Sequence, residues 1–245
     1  MIRIGNFFFH YRNGLFPAVY ALLFVKSSPV WPSSLWGPVA IGLAVALAGQ
    51  LLRFVTIGLE YIVRGGRDRR VYAENLVQGG MFSHSRNPLY LGNFLILVGV
   101  GIASNSLLFL GVAIPFFIFA YAAIIAAEEN FLRGKFGAEF DAYCAKVNRI
   151  LPNFSGFGQT VHGMRFNWRR VITAEYGSTY IWLVAIAVVT LKNIWFSHGS
   201  LAGQPAATAM WIWLGVATAG YITARVLKKG RFLAPHARSS SYSET

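Results

Sequence analysis

The sequence is poor in charge, and in acidic residues above all. Of 245 residues only 13% are charged, while 55% are hydrophobic and 16% aromatic, which is too apolar for an ordinary soluble domain. Cysteine is nearly absent: Cys144 stands alone, which excludes an internal disulfide framework and a multi-cysteine metal site. No metal-ligating cluster is visible. Short alternating runs of apolar and polar residues, the mark of a membrane barrel, are missing as well. The apolar residues come in long uninterrupted runs, and a backbone crossing lipid outside a barrel must satisfy its own polar groups as a helix. The expected fold class is therefore all-α, a polytopic transmembrane helical protein.

Basic residues outnumber acidic ones, 22 to 9, for a net charge of +13. In a soluble chain that surplus would raise nucleic-acid binding. Its placement excludes that class. Arg64, Arg67, Arg69, Arg70 and Arg86 occupy one connection between apolar runs, and Arg133, Lys135, Lys146, Arg149, Arg165, Arg169 and Arg170 another, the positive-inside pattern of a membrane protein.

Six runs follow along the chain. The first reaches from about Gly14, or as early as Ile4, to Val25; with no small-residue cleavage site and further spans behind it, it reads as a retained helix. The second runs from Leu35 to Val63, longer than the ~20 residues a hydrocarbon core needs. The third and fourth, Pro88 to Ala103 and Leu107 to Ala127, are joined by Ser104-Asn105-Ser106, a tight helical hairpin. Thr179 to Phe196 and Ala207 to Leu227 are the last two. Six spans put every basic cluster and both termini on the cytoplasmic side and leave Lys26 and Lys192 outside. The expected segments are 1–63, N-terminal spans; 64–154, a core; 155–178, an interfacial stretch; 179–228, two C-terminal spans; and 229–245, a basic, Ser-rich tail.

Two polar constellations bracket the hairpin. The first, Gly79-Gly80-Met81-Phe82-Ser83-His84-Ser85-Arg86-Asn87-Pro88-Leu89-Tyr90-Leu91-Gly92, enters the third helix. Pro88 suits a first helical position, and the free amides there can hold a polar ligand; a plain N-terminal cap explains the same residues. The second, Glu128-Glu129-Asn130, ends the fourth run. Acidic groups at a helix C-terminus oppose its dipole, so either a cationic ligand compensates them or the helix continues. Because the turn is short, both constellations emerge side by side, which favours one shared site.

Leu76-Val77 through Gly92, then Glu128-Glu129-Asn130-Phe131-Leu132, Phe136-Gly137, Tyr143, Val147 and Arg149-Ile150-Leu151-Pro152, closely resemble the integral membrane methyltransferases of the isoprenylcysteine carboxyl methyltransferase and phospholipid N-methyltransferase superfamily. That pattern is Leu-Val, Gly-Pro-Tyr, Arg-His-Pro with Tyr and Gly after it, then Glu-Glu with Phe-Gly, Tyr, and Arg near a Pro. Here Asn87 stands where His is frequent and Met81-Phe82 where Pro-Tyr is, so a titratable ring at position 87 is unavailable. The resemblance implies S-adenosylmethionine as cofactor, in a cytoplasmic site formed by Gly80, Arg86, Asn87, Tyr90, Leu91, Gly92, Glu128 and Glu129. It also implies a lipid or lipidated acceptor reached from the bilayer. Methyl transfer from a sulfonium is an in-line displacement that needs alignment and exclusion of water. Arg149 can orient a carboxylate acceptor and Glu128 or Glu129 can deprotonate an amine, and Glu129 and Arg149 are the catalytic candidates.

Arg53, Glu60, Tyr143 and Arg149 are the acceptor-binding candidates. Arg53 and Glu60 lie near one face of the second helix, and an arginine there costs ~2.5–3.5 kcal/mol unless it faces a partner or cavity; a structural pair is the plainer explanation. His84 reads as a loop residue, and Gly99 and Gly101 as close helix packing. Two rival functions remain. A sterol-type membrane reductase using NADPH shares the Arg-x-Pro-x-Tyr-x-Gly element, but an acidic residue tends to follow that Gly where this chain has Asn93. A transporter would show paired broken helices, which are not evident.

Overall fold

A computed structural model describes residues 1–60 and 72–230. The expected roles of Arg64, Arg67, Arg69 and Arg70, and of the basic, Ser-rich tail from residue 231 on, lie outside the described residues. Among those described the secondary structure is helical, with one isolated bridge between Pro29 and Ser106. The protein is an all-α polytopic membrane protein.

Eight α-helices occur in the order α1 (Ile2–Tyr20), α2 (Trp36–Leu59), α3 (Pro88–Ala103), α4 (Ile114–Phe136), α5 (Ala138–Lys146), α6 (Phe157–Gly163), α7 (Trp168–His198) and α8 (Pro205–Lys229). A 3₁₀ turn, Ala21–Phe24, extends α1, and a π turn, Phe109–Ala113, leads into α4. Among the described residues four helices are long and apolar enough to cross a membrane: α2, the continuous Phe109–Phe136, α7 and α8. The third apolar run forms α3, a shorter apolar helix of 16 residues. The first forms α1, whose 19 residues include Arg3, His10 and Arg12.

Small residues set the closest packing. Added side-chain carbons at Gly42 and Gly49 would collide with the α3 backbone at Gly99 and Gly92, and one at Gly99 would strike Gly42 and Ala46. Backbones can approach this closely only where no side chain intervenes. Helix α1 lies on α4 by the same device, Gly5 against Ala123. Helix α7 packs on α2 and α3, burying Trp182, Ile186 and Val189 in a core shared with Ala46, Leu97 and Phe117, and α8 packs on α7 through Tyr176, Tyr180 and Tyr221.

The hairpin turns at Asn105, whose φ of 52° is a left-handed conformation that Asn adopts more readily than most residues. Its side chain also binds both backbone groups of Trp31. At this end Lys192 donates to the carbonyls of Leu23 and Ser104, and Asn193 to that of Ala103. They satisfy carbonyls that a helix end leaves open, and tie α1, α3 and α7 together.

Three expected boundaries move. The second run ends its helix at Leu59, and Glu60 is extended (φ −133°, ψ 147°), so Glu60 leaves the helical face that carries Arg53. Helix α4 continues two turns beyond the expected limit of its run, so Glu128 and Glu129 lie inside a helix whose last turn carries Arg133 and Lys135, cations that suit the dipole. The final pair begins earlier, because Asn167 accepts a cap bond from the Arg170 amide at 2.9 Å and starts α7 at Trp168. Residues 168–178 are therefore the first turns of one helix, although their charge suggests a surface stretch.

Candidate active site

At the opposite end of the bundle from Asn105, the helix ends enclose a cavity of about 510 Å³. The chain reaches it through a loop that the sequence fixes locally. Gly80, at φ 57°, turns the backbone against Leu59 and Glu60, and Ser83 closes the following 3₁₀ turn on the Gly80 carbonyl. Residues 84–87 are then stitched to residues 148–153. The Arg86 amide donates to the Asn148 carbonyl at 2.9 Å, Ser85 to Ile150 at 2.8 Å, Asn87 to Arg149 at 2.8 Å, and the Asn153 amide to His84 at 2.9 Å. His84 is buried in this seam, its ring against the Asn153 carbonyl and the Thr160 hydroxyl, a loop residue as expected.

Pro88 takes the first position of α3, where its missing N–H costs nothing. One turn on, the Tyr90 hydroxyl donates to Glu128 at 2.7 Å. Beside it Glu129 pairs with Arg149 at 2.8 Å and stands 3.6 Å from Arg86. The two constellations meet in space, as the short hairpin requires. Tyr143, from α5, donates to the Phe82 carbonyl at 2.6 Å. Burial pushes its phenol above the ordinary value, with Arg86 acting in the opposite direction, so the hydroxyl stays protonated and keeps the loop against α5.

Several expected site residues line the cavity: Arg53, Arg86, Asn87, Tyr90, Glu128, Glu129 and Tyr143. Gly80, Leu91, Gly92, Glu60 and Arg149 are not among the lining residues. Gly92 faces Gly49 and the Arg53 side chain, and the Leu91 amide is spent on the Asn87 carbonyl within the helix. Arg149 closes over Glu129 with its side chain about half exposed.

The expected pairing of Arg53 with Glu60 is corrected by geometry. Arg53 forms a buried two-pronged pair with Glu175 of α7, Nε to Oε2 at 2.7 Å and Nη2 to Oε1 at 2.8 Å. Gln50 also donates to Glu175 at 3.1 Å, Trp182 donates to Gln50, and Arg53 donates to Asn93. Sequence reasoning missed Glu175, and with it the lining residues Phe9 and Arg12 of α1 and Ser178 of α7. The available signal was Arg53 itself, since a cation in an apolar helix needs an anion and the chain has few.

Among the described residues, two buried polar atoms of the site have no hydrogen-bond partner: the donor Arg86 Nε and the acceptor Glu129 Oε1. Buried orphans are uncommon and mark unmet binding capacity. A donor and an acceptor left open side by side suit a ligand that presents a carboxylate and an ammonium together.

The sequence model of a family described as phospholipid methyltransferase matches residues 38–139. That segment is similar to phospholipid methyltransferases, in keeping with the resemblance its motifs carry. The matched segment begins in α2 and ends in α5, so it holds Arg86, Tyr90, Glu128 and Glu129 but neither α1 nor α7. Curated relatives include the nickel-cobalt-cadmium resistance protein NccN of Alcaligenes xylosoxydans xylosoxydans, 26% identical over 155 residues, 63% of this chain and 70% of that protein. The cobalt-zinc-cadmium resistance protein CzcN of Cupriavidus metallidurans is 28% identical over 193 residues, 76% of this chain and 83% of its own. No solved structure gives a significant match.

Proposed function

We propose that the protein transfers the methyl group of S-adenosylmethionine to a lipid or lipidated acceptor held in the bilayer. The observation that carries this reading is the open donor and acceptor of Arg86 and Glu129 in a cavity walled by the methyltransferase segment. Arg86 binds the carboxylate of the cofactor's amino-acid tail and Glu129 its ammonium, with Arg149 covering Glu129 from outside and Asn87 holding Arg149's backbone. The described arginines and glutamates on the wall are Arg12, Arg53 and Arg86 against Glu74, Glu128 and Glu129. Arg53 is spent on Glu175 and Glu129 is met by Arg149, so the wall that remains, Arg12 and Arg86 against Glu74 and Glu128, is balanced in charge, which suits a zwitterionic tail.

The cofactor supplies an electrophilic methyl group on sulfur. The chain supplies alignment, a dry wall and a place for the acceptor's proton. Glu128 faces the cavity with Tyr90 on one oxygen. An amine acceptor loses its proton to Glu128, which frees the nitrogen lone pair for the methyl carbon; a carboxylate acceptor loses none and needs only a cation such as Arg12 to orient it. We place the cofactor end of the cavity and both termini on the cytoplasmic side, and residues 64–154 as the core that holds it. The acceptor enters from the hydrocarbon.

The test is transfer of tritium from methyl-labelled S-adenosylmethionine into lipids extracted from membranes containing the full chain. Label in the lipid fraction, lost with Glu129→Gln, supports the reading; no label above membranes lacking the protein overturns it. The two metal-resistance relatives favour a physiological context in addition: we infer that the methylated product contributes to tolerance of transition-metal ions. A strain lacking the protein should then grow less well in cobalt, nickel or cadmium, and unchanged growth detaches the chemistry from that context.

A further inference from the structure

The Arg53 network forms part of the cavity wall through Arg53, Asn93 and Ser178. Its anion, Glu175, comes from α7, beyond the matched segment. Ser178 is three residues further along the same helix and therefore on the same face. The bonds of Arg53 occupy the Nε hydrogen, one hydrogen on Nη1 and one on Nη2. A guanidinium carries five, so each terminal nitrogen keeps one. Asn93 accepts from Arg53 through Oδ1, which leaves its amide hydrogens to donate. The wall thus offers several donors and the Ser178 hydroxyl in one place.

Its charge decides what it takes. Glu175 is 1% exposed and Arg53 6%, and in a buried setting their charges cancel as a unit. An anion placed beside them would add an uncompensated charge to a poorly solvated site, which is costly. A neutral oxygen accepts the same hydrogen bonds without that cost. The depth also fits: Arg53 is six residues from the end of α2 at Leu59, about 9 Å along a helix, inside the bundle rather than at its mouth.

We propose that Arg53, Asn93 and Ser178 form a second subsite, for a neutral oxygen of the acceptor lipid such as an ester carbonyl or hydroxyl. Glu175 is its positioning residue: it cancels the charge of Arg53 and fixes the guanidinium in place. This rests on the cavity being an acceptor site, and it makes α7 a specificity element of the enzyme.

The probes are dodecanol and dodecanoate, which share one chain and differ in charge, titrated calorimetrically into the detergent-purified full chain with and without S-adenosylhomocysteine, with the acid ionised. The wild type should bind dodecanol at least tenfold more tightly than dodecanoate. Glu175→Gln keeps a hydrogen-bond acceptor but uncovers the cation, so the preference should reverse, while S-adenosylhomocysteine affinity stays within about twofold. A structural role alone would weaken both probes and could not create a preference for the anion. If Glu175→Gln does not fold, the paired Arg53→Met/Glu175→Met variant removes both charges and should lose the dodecanol preference with the cofactor affinity kept. A wild type that favours dodecanoate or binds neither probe overturns the proposal, as does a ratio unmoved in the variants. Failure of S-adenosylhomocysteine to bind overturns the cofactor reading separately, because the alcohol-to-acid ratio is read without it.

Discussion

Arg53 shows how much one residue can dictate. Within the apolar α2 it is tolerated because Glu175, Asn93 and Gln50 gather around it and leave its charge paired. Breaking a buried pair from one side typically costs about 3–5 kcal/mol, whereas replacing both partners by apolar residues is often neutral. Glu175→Ala should accordingly lower the unfolding temperature in detergent sharply, and Arg53→Met/Glu175→Met should restore most of it. An equal loss in both variants would contradict a charge-pairing role. Tyr90 poses a smaller question of the same kind. Tyr90→Phe removes the one described donor to Glu128, an effect of about 1–3 kcal/mol for a buried acceptor. The same unfolding measurement should show a modest loss, and no loss would mean that Glu128 finds another donor.

At the scale of the element, the glycines are the sharpest handle. Gly99 sits where the backbones of α2 and α3 touch, while Gly111 has open space around it. Gly99→Leu should destabilise by at least the 1–3 kcal/mol typical of overpacking, with Gly111→Leu near neutral. Equal behaviour would contradict the close α2–α3 seam. The elements were also the level at which the sequence was most readable. Pro88 marks the start of α3, Ser104-Asn105-Ser106 marks the hairpin, and Gly99 marks close packing, because each is a local signal of backbone geometry. The Arg86 loop and the Glu128-Glu129 segment were legible as partners because a short hairpin must bring its ends together. Glu175 was not legible. Its partner lies 122 positions away, no periodicity links the two, and the charged residues around Glu175 resemble a surface stretch until Asn167 is seen to cap the helix. Phe9 and Arg12 were missed for a related reason: which face of α1 meets α4 depends on Gly5 against Ala123, a tertiary fact.

At the scale of the whole molecule, the segment similar to phospholipid methyltransferases supplies the polar mouth of the cavity, and α1 and α7 supply parts of its wall. We propose, from the charge distribution, that both chain ends face the cytoplasm. Reporter fusions at the two termini should therefore both read cytoplasmic, and opposite readings would contradict an even number of crossings.

The central claim is that Arg86 and Glu129 hold the amino-acid tail of a sulfonium cofactor. Calorimetric titration of S-adenosylhomocysteine, and separately of NADPH, into the detergent-purified full chain tests it most directly. The account predicts micromolar binding of S-adenosylhomocysteine, weakened at least tenfold in both Arg86→Ala and Glu129→Ala, and none of NADPH. Binding of NADPH without S-adenosylhomocysteine, or S-adenosylhomocysteine affinity unchanged in both variants, would contradict it.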